Sequence, residues 1–277
     1  MLPWDELFEF ENERSKMDSY ESPQMHASDI GRGDSASVTL LSMCGRYRLT
    51  AAERYIAQHF DIDEDEVHWT PRYNIAPTQN VGVVRQTNRS GRTFKAMRWG
   101  LIPYWAKDAS IANHTINAMS ESAADKPAFR EALQRRRCLI PADGFYEWKK
   151  LSPRQKQPYG LSMVDDSLFA FAGLWDKWRS PHGDVFQTCT ILTTSANSLL
   201  RDIHHRMPVI LRREDFDLWL DPAITDSSRV AQLMKPFDEL LMKATPVSTT
   251  LNNAQNDSAE CMQPVDAVGE GFTPTLF

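Results

Sequence analysis

The stretch Met43-Cys44-Gly45-Arg46-Tyr47 opens the part of the chain that is patterned for folding, and the motifs after it make most chemical sense when gathered around Cys44. If Met43 is the true or processed start, Cys44 carries both a thiol and a free α-amine. That pair condenses with an aldehyde, first to an imine and then to a thiazolidine, whereas the nitrogen of an internal cysteine is held in a planar amide. Taken alone, Cys44 is better explained as a small buried residue at the start of a strand, because free cysteines are often buried.

Length and cysteine usage set the broad class of the protein. A chain of 277 residues suits one large domain or two small ones. The four cysteines, Cys44, Cys138, Cys189 and Cys261, have no paired spacing, so the sequence predicts neither a zinc site nor a disulfide framework. It has no run of about twenty apolar residues and no signal-peptide pattern. We therefore expect a cytoplasmic protein with no membrane partner.

Negative charge is concentrated at the start of the chain. The net charge is -6, and residues 1–43 alone contain nine acids and three bases, so the remaining chain is neutral. A neutral domain can still contain a local basic groove, although it lacks the strongly basic composition typical of nucleic-acid binders. We interpret residues 1–43 as a disordered acidic leader that is absent from or removed from the working protein. Residues 44–265 then form one domain, and residues 266–277 an irregular tail.

Hydrophobic patterning predicts a mostly β domain. Thr50 and Glu53 form a capping-box pattern that predicts a helix to residue 60, directly after a short strand at 45–49. Residues 72–77 are typical of a turn. Strands are predicted at 81–85, 92–99, 159–164, 168–174 and 186–193, with a strand, turn and strand over 138–148, a buried strand near 207–211 and a final strand from 245. Helices are predicted at 127–136, 213–220 and 236–243, with irregular structure from 252.

Three aromatic residues lie beside glycine and proline in a predicted loop. Trp99, Tyr104 and Trp105 fall within seven residues. Exposed aromatics of this kind provide a stacking platform for nucleic-acid bases. They serve equally well as a lid folded back on the core, and the sequence does not separate these alternatives.

Glu147 is a candidate general acid because it lies between Tyr146 and Trp148. Partial desolvation by such neighbours raises the pKa of a carboxyl group toward values useful for proton transfer. The alternative is a glutamate on the solvated face of a strand.

His204, His205 and Arg206 are consecutive and precede an apolar run. Such a turn supplies a proton shuttle and a phosphate contact. Metal ligation is the weaker option, because no carboxylate or cysteine is spaced to complete a ligand set. We therefore predict no metal and no cofactor.

Six motifs in order resemble one family, the SOS-response-associated peptidase (SRAP) domain, also called abasic-site processing or abasic-site shield proteins. The resemblance runs from Cys44 to about Pro264. The motifs are Met43-Cys44-Gly45-Arg46-Tyr47, Tyr73-Asn74-Ile75-Ala76-Pro77, Trp99-Gly100-Leu101-Ile102-Pro103, Asn117-Ala118 through Glu121, Ala142-Asp143-Gly144-Phe145-Tyr146-Glu147-Trp148, and Ile203-His204 through Pro208. The resemblance implies a compact α+β domain, mostly β, with a twisted barrel-like sheet and peripheral helices. It also favours a catalytic Cys44 over a merely buried one.

The resemblance implies roles for individual residues. Cys44 is expected to be the nucleophile that captures the aldehyde of an abasic site, and Asn117 to orient it. Glu147 is expected to protonate the sugar ring oxygen, and His204 to move protons. His204 is preferred to His205 because it directly follows an isoleucine and is separated by one residue from an arginine, as in the family. The expected DNA-binding residues are Arg46, Arg72, Asn74, Trp105, Trp148 and Arg206.

Two departures from the family pattern affect these expectations. Met119 stands where the family usually has arginine, so one expected phosphate contact is missing. The family's cysteine is exposed by removal of an initiator methionine, whereas 42 residues precede Met43 here. Either translation starts at Met43 or the leader is removed by self-cleavage.

Three functions from different classes remain open on the sequence. The first is a monomeric protein that crosslinks to abasic sites in single-stranded DNA or at a single-strand/double-strand junction, with possible lyase activity. The second is a cysteine peptidase or amidohydrolase that uses Cys44, His204 and Glu147. The third is a noncatalytic reader of modified or single-stranded DNA. A free amine at Cys44 separates the first from the third, and turnover on a peptide separates the second.

Overall fold

The computed structural model describes residues 44–86 and 91–266, and strands dominate this part of the chain. The predicted leader, residues 1–43, and residues 267–277 of the predicted tail (266–277) lie outside the described residues. The strands are Tyr47–Leu49 (β1), Arg72–Ile75 (β2), Asn80–Gln86 (β3), Arg92–Trp99 (β4), Asn117–Met119 (β5), Arg137–Ala142 (β6), Gly144–Ser152 (β7), Gln155–Met163 (β8), Phe169–Arg179 (β9), Val185–Ser195 (β10), Arg206–Pro208 (β11), Ile210–Leu211 (β12) and Met242–Pro246 (β13). The α-helices are Glu53–Phe60 (α1), Arg130–Arg135 (α2), Ser198–Arg201 (α3) and Phe216–Leu220 (α4). None of the helices in the described ranges has the length and apolar composition needed to cross a membrane.

Five strands close into a ring. β10 pairs with β4, β4 with β3, β3 with β6, β6 with β9, and β9 returns to β10. Only the β10–β4 pairing in this ring is parallel. Closure of this kind removes exposed sheet edges. The predicted α+β architecture, mostly β with a barrel-like sheet and peripheral helices, is confirmed.

A second sheet of five strands has the order β13-β8-β7-β1-β2. Its aromatic residues pack against the ring of strands. The Tyr47 ring lies 5.5 Å from Trp99 and 5.6 Å from Phe171, edge to face in both cases. Such pairs contribute about 0.5–1.5 kcal/mol each beyond the burial of their area. The core therefore lies between the two sheets and fixes β1, the strand that follows Cys44.

Helix α1 begins close to the predicted position, but the predicted capping box is wrong. The hydroxyl of Thr50 donates to the carboxylate of Asp143 at 2.8 Å, and Glu53 accepts from the backbone N–H of Trp69 at 2.6 Å. The N-cap residue is Ala52, which offers no side-chain cap. Contacts across the fold thus use the two side chains that the local pattern assigned to the helix start.

Two further predictions are wrong because of long-range contacts. Residues 72–75 form strand β2 and not a turn. The outer edge of β2 is held by Asp257, because the Asp257 carboxylate accepts the backbone N–H groups of Tyr73 and Asn74 at 2.6 and 3.0 Å. Residues 236–243 form no α-helix. The chain makes a single 3₁₀ turn, Glu239–Leu241, and then pairs with β8 from Met242. The helix predicted at 127–136 is confirmed only as the shorter α2.

Candidate active site

Cys44 lies directly before β1 and is buried, with 3% of its surface exposed. Its backbone N–H donates to the Oε1 atom of Glu147 at 2.9 Å. Its φ angle of 35° lies in the left-handed region, which is strained for a residue other than glycine. Burial raises the pKa of the Cys44 thiol well above its ordinary value, and the nearby carboxylate of Glu147 raises it further. The thiol is therefore protonated at neutral pH.

Glu147 is positioned by β7, whose pairing with β8 places Glu147 opposite Tyr159. Only 2% of its surface is exposed. Burial raises its pKa from 4.5 to about 7, against the opposing effect of hydrogen bonds from Cys44 and of the positive charge of Lys156. The predicted desolvation of this acid is confirmed, and near neutral pH the group is able both to donate and to accept a proton.

Asn117 contacts the carbonyl group of Cys44. Strand β5 runs parallel to β10, with Asn117 opposite Ile191. The Asn117 side-chain amide donates to the carbonyl oxygen of Cys44 at 3.3 Å. Cys44 is thus held through its nitrogen by Glu147 and through its carbonyl by Asn117, and three of the predicted catalytic residues meet at one backbone unit.

His204 lies in the turn between α3 and β11. Its Nδ1 atom accepts the backbone N–H of Arg206 at 3.2 Å, and its ring lies 4.5 Å from that of His205. His204 is half-buried and His205 is exposed. Burial lowers the pKa of His204 below 6.5, so its imidazole is neutral at pH 7. The preference for His204 agrees with its more enclosed position, and its catalytic role stays a prediction.

Arg206 is buried and ion-paired. Its guanidinium donates to both carboxylate oxygens of Glu121, at 2.7 and 2.8 Å, and to the carbonyl of Thr193 at 2.7 Å. The pKa of Glu121 is lowered mainly by the hydrogen bond from Arg206. The positive charge of Arg206 also lowers the pKa of the Cys44 thiol, although burial and the charge of Glu147 raise that pKa by more. Arg206 therefore acts on the site as a fixed positive charge.

The predicted DNA-binding residues Arg46, Asn74 and Trp148 form one connected group. Arg46 donates to the Oδ1 atom of Asn74 at 2.8 Å and to the carbonyl of Leu251 at 2.9 Å, and it lies 5.8 Å from the centre of the Trp148 ring. Asn74 is fully buried. Its amide donates to three carbonyls of the 251–256 segment, at 3.2, 3.0 and 2.7 Å. The predicted direct contact of Asn74 with DNA does not fit this arrangement, because its polar atoms hold the protein together.

Arg72 and Trp105 are two further predicted DNA-binding residues, and their surroundings differ from those of this group. Arg72 pairs with Asp257 and donates to Gln79 at 2.8 Å. Trp105 is 48% exposed and Tyr104 is 52% exposed. Trp99 belongs to the core and donates its indole N–H to a backbone carbonyl. The aromatic stretch is thus divided between the two alternatives, with Trp99 in the core and the other two rings facing solvent.

Two parts of the site have no role that was predicted from the sequence. Glu121, the partner of Arg206, was noted only as part of a motif. The 251–257 segment, predicted as irregular, supplies the carbonyls that hold Arg46 and Asn74 and the carboxylate that holds β2. No local pattern signals contacts between residues so far apart in the chain. Within residues 44–86 and 91–266, no three His, Cys, Asp or Glu side chains are grouped as metal ligands would be.

Comparisons with known proteins agree with the resemblance seen in the motifs. A family model described as SOS response associated peptidase (SRAP) matches residues 43–254. The abasic site processing protein YoqW of Bacillus subtilis (strain 168) is 44% identical over 223 residues, which cover 80% of this chain and 99% of YoqW. The abasic site processing protein HMCES of Pongo abelii is 33% identical over 242 residues, covering 74% of this chain and 68% of HMCES. A crystal structure of a protein from Bacteroides thetaiotaomicron matches with a TM-score of 0.70 at 27% identity, covering 80% of this chain and 100% of that one.

Proposed function

Since the chain belongs to the SOS response associated peptidase (SRAP) family, we propose that it processes abasic sites in DNA by joining covalently to them through Cys44. The ligand is single-stranded DNA, or a single-strand/double-strand junction, that contains an abasic site. Relatives that carry the name abasic site processing protein support this choice of substrate. The observation that carries the chemistry is the hydrogen bond from the Cys44 nitrogen to the buried carboxyl group of Glu147.

That nitrogen becomes an α-amine when residues 1–43 are absent. An α-amine has an ordinary pKa of about 8, and burial favours its neutral form, as it favours the neutral form of Glu147. A neutral amine beside a protonated carboxyl group is the state that the reaction needs. The acid protonates the sugar ring oxygen and exposes the aldehyde, and the amine attacks it.

The reaction balances without an oxidant or a reductant. The amine nitrogen adds to the aldehyde carbon, and loss of one water gives an imine. The Cys44 sulfur then adds to the same carbon, and the thiol proton passes to the nitrogen, which closes the thiazolidine. Neutral His204 takes up and returns protons during imine formation. Asn117 holds the Cys44 carbonyl, so that the amine and the thiol face one carbon.

Three forms of the protein test this proposal with single-stranded DNA that contains an abasic site. Protein that begins at Cys44 should form a heat-stable, stoichiometric adduct, and no adduct with intact DNA of the same sequence. The same protein with Cys44→Ala keeps an amine but loses the trap, so its imine should hydrolyse and the strand should be cut by β-elimination. Protein in which residues 1–43 are still attached, as checked by intact mass, should form neither species.

Denaturing gels distinguish the outcomes. An equally stable adduct from Cys44→Ala would overturn the thiazolidine. Absence of any adduct from the form that begins at Cys44 would leave a noncatalytic DNA reader or a hydrolase as the better interpretation of the site.

The proposed DNA surface combines exposed rings with fixed charges. Trp105 offers an exposed ring for base stacking, and Trp148 is half-buried beside Arg46. Arg46 and Arg206 provide positive charge close to the reacting group, and Arg72 provides it along β2. Asn74 contributes by holding Arg46 in place.

A second activity, self-cleavage between residues 43 and 44, is favoured by the same contact. Glu147 lies 2.9 Å from the nitrogen that would leave, and the Cys44 backbone has a strained positive φ angle. The Cys44 sulfur would attack the residue 43 carbonyl, Glu147 would protonate the departing nitrogen, and water would hydrolyse the thioester. The step breaks one peptide bond and consumes one water.

Intact mass of the purified full chain over time tests self-cleavage. A species that begins at Cys44 should appear in wild type and should be absent from Cys44→Ala. A full chain that stays uncut, and that nevertheless forms the DNA adduct, would contradict both this activity and the need for a free amine.

A further inference from the structure

The β7–β8 hairpin beyond Trp148 carries a concentrated positive charge that the site described above does not use. Residues 149–156 contain Lys149, Lys150, Arg154 and Lys156 and no acidic residue. We call residues 149–156 the basic hairpin. Three of its four bases are exposed, and Lys149 is half-buried.

The basic hairpin projects from its sheet as a two-stranded ribbon. β1 pairs with β7 only at Gly144 and Phe145, and β13 pairs with β8 only from Tyr159 onward. The basic hairpin therefore has no further strand on either side among the described residues. Its inward end is continuous with the strand that carries Glu147.

The charges of the basic hairpin are not compensated within the described protein. None of its four bases forms an ion pair with a described residue. Lys150 lies directly opposite Lys156 in the pairing of the two strands. Like charges placed opposite one another destabilise a strand pair. A polyanion bound along the ribbon would remove this repulsion.

The basic hairpin begins close to the candidate active site. Strands rise about 3.3 Å per residue, which places Lys150 about 10 Å and Ser152 about 17 Å along β7 from Glu147. The charge of Lys156 also helps to lower the pKa of Glu147, after the hydrogen bonds from Cys44. Successive phosphates of one duplex strand lie about 3.4 Å apart along the helix axis. The charges thus match phosphates about three to five nucleotides from a sugar held at Cys44.

We propose that the basic hairpin binds the phosphate backbone of DNA about three to five nucleotides from the abasic sugar. The proposal rests on the proposed function for its choice of DNA as the ligand. Its recognition is electrostatic, so the flanking segment is read for its charge and not for its sequence. The flank is either single-stranded or duplex, and the experiment separates the two.

Binding is measured with DNA that carries a tetrahydrofuran abasic analogue, which has no aldehyde and cannot form an imine. The result is therefore independent of the covalent chemistry. The test variant changes all four bases of the basic hairpin to glutamine. A control variant removes the same charge from exposed bases elsewhere, namely Lys126, Arg130, Arg229 and Lys235. Thermal unfolding checks that both variants remain folded.

Affinity is compared between 50 and 200 mM salt for flanks of two and of eight nucleotides, single-stranded or duplex, on each side of the analogue. When the eight-nucleotide flank lies on the side that the basic hairpin binds, raising the salt from 50 to 200 mM should weaken binding of wild type more than binding of the hairpin variant. For four phosphate contacts, the extra loss of affinity is about 50-fold with single-stranded DNA and about 150-fold with duplex DNA. The control variant should behave like wild type, and the two-nucleotide flank should abolish the difference.

The outcomes separate this inference from the proposed function. The role of the basic hairpin would be overturned if the DNA affinities of wild type and hairpin variant had the same salt dependence, or if their salt dependences differed equally for short and long flanks. This holds even if the covalent adduct forms. A flank-dependent difference would support the role even if protein that begins at Cys44 formed no adduct with an abasic site.

Discussion

Replacement of Glu147 by glutamine should stabilise the full chain, and increasingly so as the pH rises. Burial raises the pKa of Glu147 from 4.5 to about 7, so the folded protein holds a proton that the unfolded chain has lost between these values. Stability that depends on this proton is present below pH 4.5 and is lost as the pH rises through 7. Glutamine is neutral, keeps the volume and still accepts from the Cys44 nitrogen.

The size of this effect follows from the pKa difference. Each pKa unit corresponds to about 1.4 kcal/mol, so Glu147→Gln should gain about 1 kcal/mol at pH 5 and about 3 kcal/mol at pH 8 relative to wild type. Because the carboxyl is almost fully buried, solvent screening does little to reduce this figure. The free energy of unfolding in urea, measured from pH 5 to pH 8, gives the difference directly.

Glu121→Gln is the matched control with the opposite sign. The hydrogen bond from Arg206 lowers the pKa of Glu121, so its stabilising effect is present at neutral pH and is lost as the pH falls. Glu121→Gln should therefore lower the free energy of unfolding at pH 8 and leave it unchanged at low pH. A Glu147→Gln difference that stays constant from pH 5 to pH 8 would refute the raised pKa and, with it, the assignment of Glu147 as a general acid.

Three further predictions concern binding and stability. Met119→Arg should tighten DNA binding and steepen its salt dependence by about one phosphate contact, and an unchanged slope would show that this side chain reaches no phosphate. Asn74→Ala removes the buried amide that donates to three carbonyls of the 251–256 segment, so it should cost about 1–3 kcal/mol in urea unfolding and expose that segment to proteases, whereas a protease-resistant segment would contradict its anchoring role. Asp143→Ala should cost about 1–3 kcal/mol, because the N–H and hydroxyl of Thr50 lose their acceptor; a loss below about 0.5 kcal/mol would show that water replaces it.

The strands were predictable where apolar and β-branched residues cluster or alternate with polar ones. β4 was predicted with its observed ends, the strands at 81–85 and 186–193 were found but made too short, and the strand at 159–164 begins four residues late and ends one residue beyond β8. β3, β8 and β10 contain runs of consecutive buried residues, which a local run of apolar side chains indicates. The ends of a strand depend on the partner strand, which a local pattern does not contain.

Local signals failed where a distant residue competed for the same groups. Thr50 belongs to a capping pattern, but Asp143 binds its hydroxyl. Residues 72–77 have turn chemistry, but Asp257 and β1 hold the first four of them in a strand. Residues 236–243 have helical periodicity, but pairing with β8 begins at Met242. In each case tertiary hydrogen bonds outweigh propensities worth well under 1 kcal/mol per residue.

The candidate site was predictable where neighbours in sequence create the environment. Tyr146 and Trp148 flank Glu147, and the predicted desolvation is present. The contact between Cys44 and Glu147 spans 103 residues, and that between Arg46 and Leu251 spans 205. Only the family motifs indicated that Cys44 and Glu147 meet, and nothing in the sequence indicated the contact of Arg46 with Leu251. Neither the neighbouring residues nor the family motifs indicated the burial of Asn74 or the pairing of Arg206 with Glu121.

The intact mass of the adduct, recorded with and without borohydride, tests the central claim most directly. Protein that begins at Cys44 is incubated with an abasic single-stranded oligonucleotide. A thiazolidine predicts the summed mass of protein and DNA less one water, unchanged by borohydride, with no Cys44 thiol left to alkylate. An adduct that gains two hydrogens on reduction and still presents a free Cys44 thiol would be an imine, and it would contradict the account.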